Sequence, residues 1–227
     1  MTLIRRDFLA SAGAAAAALT LGHSSIARAL QAQQAQAVFA PIRRNVGYFT
    51  MRGGTIGYLV NSGAVVAVDS QFPAEAAACI AGLKLQSNDR PVDYLINTHH
   101  HGDHTGGNIA FRGVAKKVVA HGMAAEHMRQ PPGGQAPEDQ LYPDTTFADR
   151  WTADVGDERI IARHYGRAHT SGDAVITFER ANVAHMGDLM FNQRHPVVDR
   201  AAGATLHGWM GVLDLVAADH ASDTIYI

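Results

Sequence analysis

The chain has 227 residues, of which 47% are hydrophobic and 18% are charged, and its formal net charge is −2. This is the composition of a globular protein with one good-sized core, and the charge gives no sign of a nucleic-acid-binding surface or an acidic tail. The single cysteine, Cys79, excludes an intrachain disulfide. We therefore expect a partner that is a small-molecule substrate rather than a nucleic acid.

The first 37 residues have the pattern of an export signal. Arg5 and Arg6 are adjacent and precede an apolar run at about positions 10–21, which is too short to span a bilayer. The string RRDFL resembles a twin-arginine signal, and small-residue cleavage patterns lie near residues 29 and 37. We predict a signal peptide and leader over 1–37, one domain over 38–227, and a periplasmic product that is not attached to the membrane after signal removal.

The remaining sequence predicts strands and helices in mixed order. In chain order, the predicted elements are a leader into a strand at 39–50, strands at 55–60 and 64–68, a helix at 74–85, a buried strand at 92–97, a strand at 114–120, a short helix at 123–129, a long loop at 130–146, strands at 155–164, 174–178 and 183–186, a helix at 206–218 and a final strand from 224. Hairpin-like strands lie early and late in the chain, so an α+β fold is expected.

A histidine-rich motif follows the predicted buried strand at 92–97 directly. It reads His99-His100-His101-Gly102-Asp103-His104 and is followed by Gly106-Gly107. Alternate residues of an extended chain share a face, so His99 and His101 can point the same way while His100 faces away. Three imidazoles and a carboxylate are ligands that suit Zn²⁺, and the flexible Gly102 allows Asp103 and His104 to reach a second point nearby. Two metal positions are therefore plausible.

The motif HxHxDHxGG after a strand resembles the signature of the metallo-β-lactamase superfamily. Two later segments are similar to further motifs of that family, namely GRAHTSGD at 166–173 and HMGDLMF at 185–191. Asp69, at the end of a predicted strand, matches an acidic position that supports the metal site in the family. The resemblance runs from about residue 46 to 227 and implies an αββα sandwich, in which two mixed β-sheets pack face to face with helices on the outer faces.

The resemblance also implies which residues bind metal. The expected ligands of the first zinc are His99, His101 and His169, those of the second are Asp103 and His104, and the residue that bridges both is Asp188. The family supplies one more histidine to the second metal, just beyond a strand similar to residues 223–227. The sequence ends at Ile227 without it, so we expect a C-terminally truncated domain whose second zinc site is incomplete.

The activity implied by the resemblance is metal-assisted hydrolysis of an ester, thioester, lactone or lactam carbonyl. In that mechanism a zinc-bound hydroxide near Asp103 and Asp188 attacks the carbonyl carbon. β-Lactamases proper place cysteine or serine at the position of Asp188, so this residue is more similar to glyoxalase II-like thioesterases and lactonases. Flavodiiron proteins have glutamate at the position of His101 and are disfavoured, whereas the pattern is also compatible with the iron of sulfur dioxygenases.

Two alternatives stay open at this point. One is a periplasmic metallo-β-lactamase proper, and the other is an inactive zinc-binding homologue that has lost the C-terminal histidine. We also expect the loop at 130–146 and residues 191–199 to border the substrate pocket.

Overall fold

The computed structural model describes residues 36–52 and 54–227. The predicted signal peptide lies almost entirely outside these residues. Residues 37–50 and 54–227 form one compact unit. Within the described residues, no helix combines the length and the apolar character that crossing a bilayer requires.

Two mixed β-sheets form the body of this unit. The larger sheet has its strands in chain order, and they are β1 (Val38–Arg43), β2 (Val46–Met51), β3 (Gly54–Val60), β4 (Val65–Val68), β5 (Val92–Asn97), β6 (Ala115–His121) and β7 (Thr145–Phe147). The smaller sheet has the order β12-β11-β10-β9-β8, with β8 (Arg150–Val155), β9 (Glu158–Arg163), β10 (Val175–Phe178), β11 (Val183–His185) and β12 (Ile225–Tyr226). Strands β4 to β7 run parallel, and β8 to β11 are antiparallel.

The main core lies between the two sheets. Val66, Val68 and Ile96 of the larger sheet share one buried cluster with Ile176 and Phe178 of the smaller sheet. Because successive strand residues point to opposite faces, Val175 and Ala184 belong to a different cluster on the outer face of the smaller sheet.

Helices cover the outer faces of the sandwich, as the family resemblance predicts. Helix α1 (Pro73–Ser87) begins with proline at its first turn and ends at Asn88 in the left-handed conformation. Helix α4 (Leu206–Asp219) packs Trp209, Val212 and Val216 against the smaller sheet. The short helices α2 (Gly102–Thr105) and α3 (Gly122–Arg129) follow β5 and β6. The expected αββα fold is confirmed.

Two predicted strands are wrong in their extent. The segment predicted as a leader into one strand, 39–50, is a hairpin, because Arg44 and Asn45 both adopt positive φ and make a two-residue turn. The strand predicted at 155–164 begins at Glu158, after a turn in which Gly156 has a φ of 61°. Strand β8 comes before that turn. It was not predicted, although its polar and apolar residues alternate as in a strand with one exposed face.

Candidate metal centre

The histidine motif lies at one edge of the larger sheet, where its parallel strands end. Strand β5 ends at Asn97, and β4 beside it ends at Val68. The residues that follow both strands therefore meet at the same edge, which brings Asp69 next to Thr98. The Asp69 carboxylate accepts hydrogen bonds from the Thr98 backbone N–H at 2.8 Å and from the Thr98 hydroxyl at 2.7 Å.

A first group of donor atoms contains three imidazoles and one carboxylate. Nδ1 of His101 lies 3.1 Å from Nε2 of His99 and 2.9 Å from Nε2 of His169. An oxygen of Asp188 lies 3.6 Å from Nε2 of His169. The four ligand atoms lie within 4.8 Å of one another, close enough to surround a single ion.

A second group shares Asp188 with the first. The other oxygen of Asp188 lies 3.0 Å from Nε2 of His104, and an oxygen of Asp103 lies 3.8 Å from the same nitrogen. The Asp103 side chain is 60% exposed, so this group is open to solvent. The structure thus brings all six predicted ligands together in the two groups that the family resemblance implies, while their roles as ligands stay a prediction.

Local structure explains how the two distant segments reach the motif. His169 lies in the loop between β9 and β10, where the Asp173 carboxylate accepts from the backbone N–H and the hydroxyl of Thr170 at 2.8 and 2.6 Å. Burial raises the pKa of Asp173 to about 6. Asp188 follows β11 in a single 3₁₀ turn that starts at Gly187, whose φ is 53°. A side chain on Gly187 would collide with Thr98, so the glycine permits this close approach.

The outer nitrogens of two histidines are held by acceptors. Nδ1 of His169 lies 2.7 Å from the carbonyl oxygen of Val197, which can only accept, so this nitrogen carries the proton. Nε2 of His101 lies 2.8 Å from a carboxylate oxygen of Asp199. A carboxylate accepts, so Nε2 of His101 donates here as well. Burial acts to raise the pKa of Asp199, but the hydrogen bonds from His101 and from the Ala202 N–H, with the nearby imidazoles, together hold it below its ordinary value.

The outer nitrogen of His99 also carries a proton, because of the hydroxyl of Thr98 beside it. The hydroxyl of Thr98 donates its one proton to Asp69, and it lies 3.1 Å from Nδ1 of His99, which must therefore donate to it. Consequently Nε2 of His99, Nδ1 of His101 and Nε2 of His169 all present lone pairs to one another. Lone pairs at 2.9 to 3.1 Å repel unless a cation or a proton lies between them.

The protonation states suit a cation rather than an added proton. Burial, together with the neighbouring imidazoles, lowers the pKa of His99 well below its ordinary value, and burial lowers the pKa of His169 as well. Burial acts to raise the pKa of Asp188, but the hydrogen bond from His104 and the neighbouring imidazoles together lower it. These groups are therefore in the deprotonated forms that bind metals.

His104 lies between carboxylates on both sides. Its Nδ1 is 2.7 Å from Asp69, which leaves Nε2 to face Asp188 and Asp103. Burial acts to lower the pKa of His104, yet the charges of Asp69 and Asp188 prevail and raise it well above the ordinary value. Without a metal, His104 therefore carries a proton that a cation at the second group would displace.

The donor set fits zinc. Structural and catalytic zinc sites use imidazole nitrogen and carboxylate oxygen at about 2.1 Å, which in a tetrahedron separates neighbouring ligand atoms by about 3.4 Å. The nitrogens of the first group need to move apart by only a few tenths of an ångström from their distances of 2.9 and 3.1 Å. The same ligands also suit iron.

Sequence reasoning missed Asp199 as a partner of His101. The residue ends the stretch 191–199 that was expected to border the pocket, but its contact with His101 joins residues 98 positions apart, and no local pattern indicates it. His100, expected to face away from the motif, packs beside His127 with 4.8 Å between ring centroids. His100, His101 and Asp199 form a third group of possible ligands.

A separate concavity of about 470 Å³ lies away from the histidines and is lined by Asn61, Ser62 and Arg90, among others. The Arg90 guanidinium donates to the carbonyls of Ser87, Ser62 and Asn61. The Arg90 side chain therefore joins the end of α1 to the turn between β3 and β4.

The sequence and the fold of the chain are similar to those of known proteins. The sequence pattern of the metallo-beta-lactamase superfamily matches residues 50–224. A segment of 155 residues is 28% identical to the 2,4-dinitroanisole O-demethylase subunit alpha of Nocardioides sp., covering 66% of this chain and 45% of that protein. A segment of 130 residues is 31% identical to the hydroxyacylglutathione hydrolase of Methylococcus capsulatus, covering 57% of this chain and 44% of that protein.

The chain therefore aligns with less than half the length of either relative. Among solved structures, a metallo-beta-lactamase from Pontibacter korlensis superposes with a TM-score of 0.68 at 19% identity, over 85% of this chain and 90% of that chain. This similarity shows a shared fold.

Proposed function

Because the chain belongs to the metallo-beta-lactamase superfamily, we propose that it is a zinc-dependent hydrolase that cleaves an ester, thioester, lactone or lactam carbonyl. The observation that carries the proposal is the inward orientation of three imidazole lone pairs, each enforced by a hydrogen bond on the opposite side of the ring. Such an arrangement is unfavourable in a purely structural cluster and favourable around a cation.

The residues we assign to the metals are those of the two groups. His99, His101 and His169 would hold the first zinc, Asp103 and His104 would hold the second, and Asp188 belongs to both groups. When bound, zinc lowers the pKa of a coordinated water to about 7 and polarises a substrate carbonyl.

The two aspartates of the site have different surroundings and hence different tasks. Asp188 is three-quarters covered and its pKa is lowered by the hydrogen bond from His104, so it stays a carboxylate that accepts a hydrogen bond and orients its neighbours. Asp103 is 60% exposed at the mouth of the site, where a substrate can reach it. We assign the acceptance and transfer of protons during hydrolysis to Asp103, and the orientation of the neighbouring groups to Asp188.

The names of the relatives guide the choice of substrates. One relative is named as a hydrolase of a glutathione thioester and the other as a subunit that demethylates an aryl methyl ether. A thioester is therefore our first candidate, and a β-lactam is the second, because enzymes named metallo-beta-lactamase share the fold. The partner proposed is a small molecule rather than a nucleic acid.

We also propose that the protein works in the periplasm. The proposal is supported by the adjacent arginines at positions 5 and 6 and the apolar run that follows them. A fusion of residues 1–37 to a reporter that requires twin-arginine export, compared with Arg5→Lys/Arg6→Lys, tests it directly. Equal export of both fusions, or export of neither, would reject this assignment.

The activity is tested with the chain loaded with zinc. The substrates are a glutathione thioester, a lactone, nitrocefin and 2,4-dinitroanisole, and the control is His101→Ala. We expect turnover of at least one carbonyl substrate that falls by about 100-fold or more in the control. Zinc binding without turnover of any substrate supports the inactive homologue instead. A chain that binds neither zinc nor iron by elemental analysis contradicts the proposal altogether.

A further inference from the structure

Asp199 belongs to neither group of proposed ligands, yet its carboxylate contacts one of those ligands, His101. We propose that Asp199 is a positioning residue that sets the tautomer, orientation and donor strength of His101, and thereby the affinity of the first metal site. The inference rests on the proposed function, since it assigns to Asp199 a role that only a metal-binding His101 requires.

Both oxygens of the Asp199 carboxylate accept hydrogen bonds. One oxygen lies 2.8 Å from Nε2 of His101, and the other accepts from the backbone N–H of Ala202 at 3.0 Å. Hydrogen bonds therefore fix the position of both oxygens, and the side chain is only 22% exposed. The hydrogen bond from Nε2 leaves Nδ1 of His101 without a proton, which is the nitrogen that faces His99 and His169.

The stretch of chain around Asp199 contacts two of the three imidazoles of the first group. The backbone N–H of Asp199 donates to the carbonyl oxygen of His169 at 3.3 Å, and the carbonyl of Val197 accepts from Nδ1 of His169. The turn that follows is closed by a bond from the Ala204 N–H to the Asp199 carbonyl at 2.9 Å. Residues 197–204 therefore orient His101 and His169 together.

The outer partners of the three imidazoles differ in charge. His169 has a backbone carbonyl behind it and His99 has the Thr98 hydroxyl, so His101 is the member of the first group whose outer partner is a carboxylate. A carboxylate behind a metal-bound imidazole makes the ring a stronger donor and holds its orientation. In the second group, Asp69 stands in the same relation to His104 at 2.7 Å. Each group thus contains one histidine that is backed by an aspartate.

A role for Asp199 as a metal ligand is the competing explanation, because it also groups with His100 and His101. In that arrangement Nε2 of His101 would have to bind the ion, whereas Nδ1 is the nitrogen that faces His99 and His169. We therefore assign positioning, and the two explanations differ in the number of metal ions that a variant retains.

The test measures zinc affinity of the full chain by competition with a chromophoric chelator. Asp199→Asn and Asp199→Ala are compared with the wild type and with Asp214→Asn, which removes the same charge from an exposed position of α4. We expect both Asp199 variants to bind the first zinc about 10- to 100-fold more weakly with an unchanged stoichiometry, and Asp214→Asn to match the wild type. If the alanine variant does not fold, the asparagine variant alone decides.

A second readout follows the imidazole proton itself. In the zinc-loaded chain with ¹⁵N-labelled histidine, the Nε2 proton of His101 should exchange slowly, and it should exchange rapidly in Asp199→Ala. A variant that melts at a lower temperature without zinc but keeps the wild-type zinc affinity would show a merely structural role and overturn the inference. Loss of one bound zinc would make Asp199 a ligand and overturn it equally. If the wild type itself binds no zinc, the proposed function fails and the inference falls with it.

Discussion

The carboxylate of Asp69 lies 2.7 Å from Nδ1 of His104 and also accepts from the hydroxyl of Thr98, which in turn lies 3.1 Å from Nδ1 of His99. One fully buried side chain is therefore connected to both groups of proposed ligands, directly in one case and through a hydroxyl in the other. The backbone of Asp69 supports this position with a φ of 63°, an uncommon conformation that aspartate tolerates better than most residues.

Replacing Asp69 by alanine should destabilise the metal-free protein strongly. The change leaves the Thr98 N–H and the Nδ1 proton of His104 unpaired in a buried place, which should lower the free energy of unfolding by about 3 kcal/mol. Urea denaturation measures this. The control is Asp139→Ala, which removes an exposed ion pair with Arg112 and should cost under about 1 kcal/mol. Equal losses in the two variants would contradict the connecting role of Asp69.

The sharing of Asp188 predicts unequal effects of two aspartate substitutions on zinc content. Asp103→Ala alters only the second group, so the chain should keep one tightly bound zinc at the first. Asp188→Ala alters both groups and should weaken both sites, by about 10-fold or more at the first. Elemental analysis after dialysis against a chelator distinguishes the two, and Asp214→Ala serves as the control. Identical zinc contents of the two variants would exclude a shared carboxylate.

Gly187 lies so close to Thr98 that adding a single methyl group at residue 187 should lower the stability of the protein. A Cβ at residue 187 would lie 2.6 Å from the Thr98 hydroxyl oxygen, and the φ of 53° is strained for any residue that carries one. Gly187→Ala should therefore lower the free energy of unfolding by about 1–3 kcal/mol and displace Asp188.

The matched control for that substitution is Gly211→Ala in α4. A Cβ there meets no atom within 4 Å, and alanine favours the helix over glycine by about 0.5–1 kcal/mol. Thermal unfolding should thus show opposite shifts for the two variants. A stabilised Gly187→Ala would mean that the turn before Asp188 adopts another conformation.

The lowered pKa of the buried His121 should make the folded protein less stable in acid, whether or not a metal is bound. Burial, and after it the stacked ring of His164, lowers the pKa of His121 to about 4, although the Ala148 carbonyl and Asp149 act in the opposite direction. Between about pH 6.5 and 4 the unfolded chain binds a proton here that the folded chain does not. This contribution is complete above pH 6.5 and is lost as the pH falls, by up to about 3 kcal/mol.

The substitution that tests this is His121→Asn. Asparagine does not titrate and can still accept from the Met123 N–H at the start of α3, as His121 does. We expect the difference in unfolding free energy between pH 7 and pH 4.5 to be smaller in the variant than in the wild type, measured without metal in urea. Parallel pH profiles would show that His121 does not cause the acid sensitivity.

The local features of this protein could be predicted from the sequence. The boundaries of β3, β4 and β5, and of helices α1 and α4, follow from apolar periodicity and from residues such as Pro73 at a helix start. The motif at 99–104 could be recognised as a ligand set because its spacing along one stretch of chain decides which side chains face the same way. The turn between β1 and β2 escaped prediction, since positive φ at Arg44 is a property of the folded backbone rather than of arginine. The turn between β8 and β9 was overlooked, although its Gly156 is a residue type that signals a turn.

Only the tertiary structure shows which groups contact the outer ring nitrogens of the candidate ligands. The contacts of His101 with Asp199 and of His169 with Val197 join residues 98 and 28 positions apart, and they depend on how the loops after β9 and β11 fold over the edge of the larger sheet. A hydrogen bond of this kind depends on distances of tenths of an ångström, and sequence patterns hold no information at that scale between separate segments. The candidate ligands could be named from the sequence, whereas the tautomers of their rings depend on the packing of separate segments.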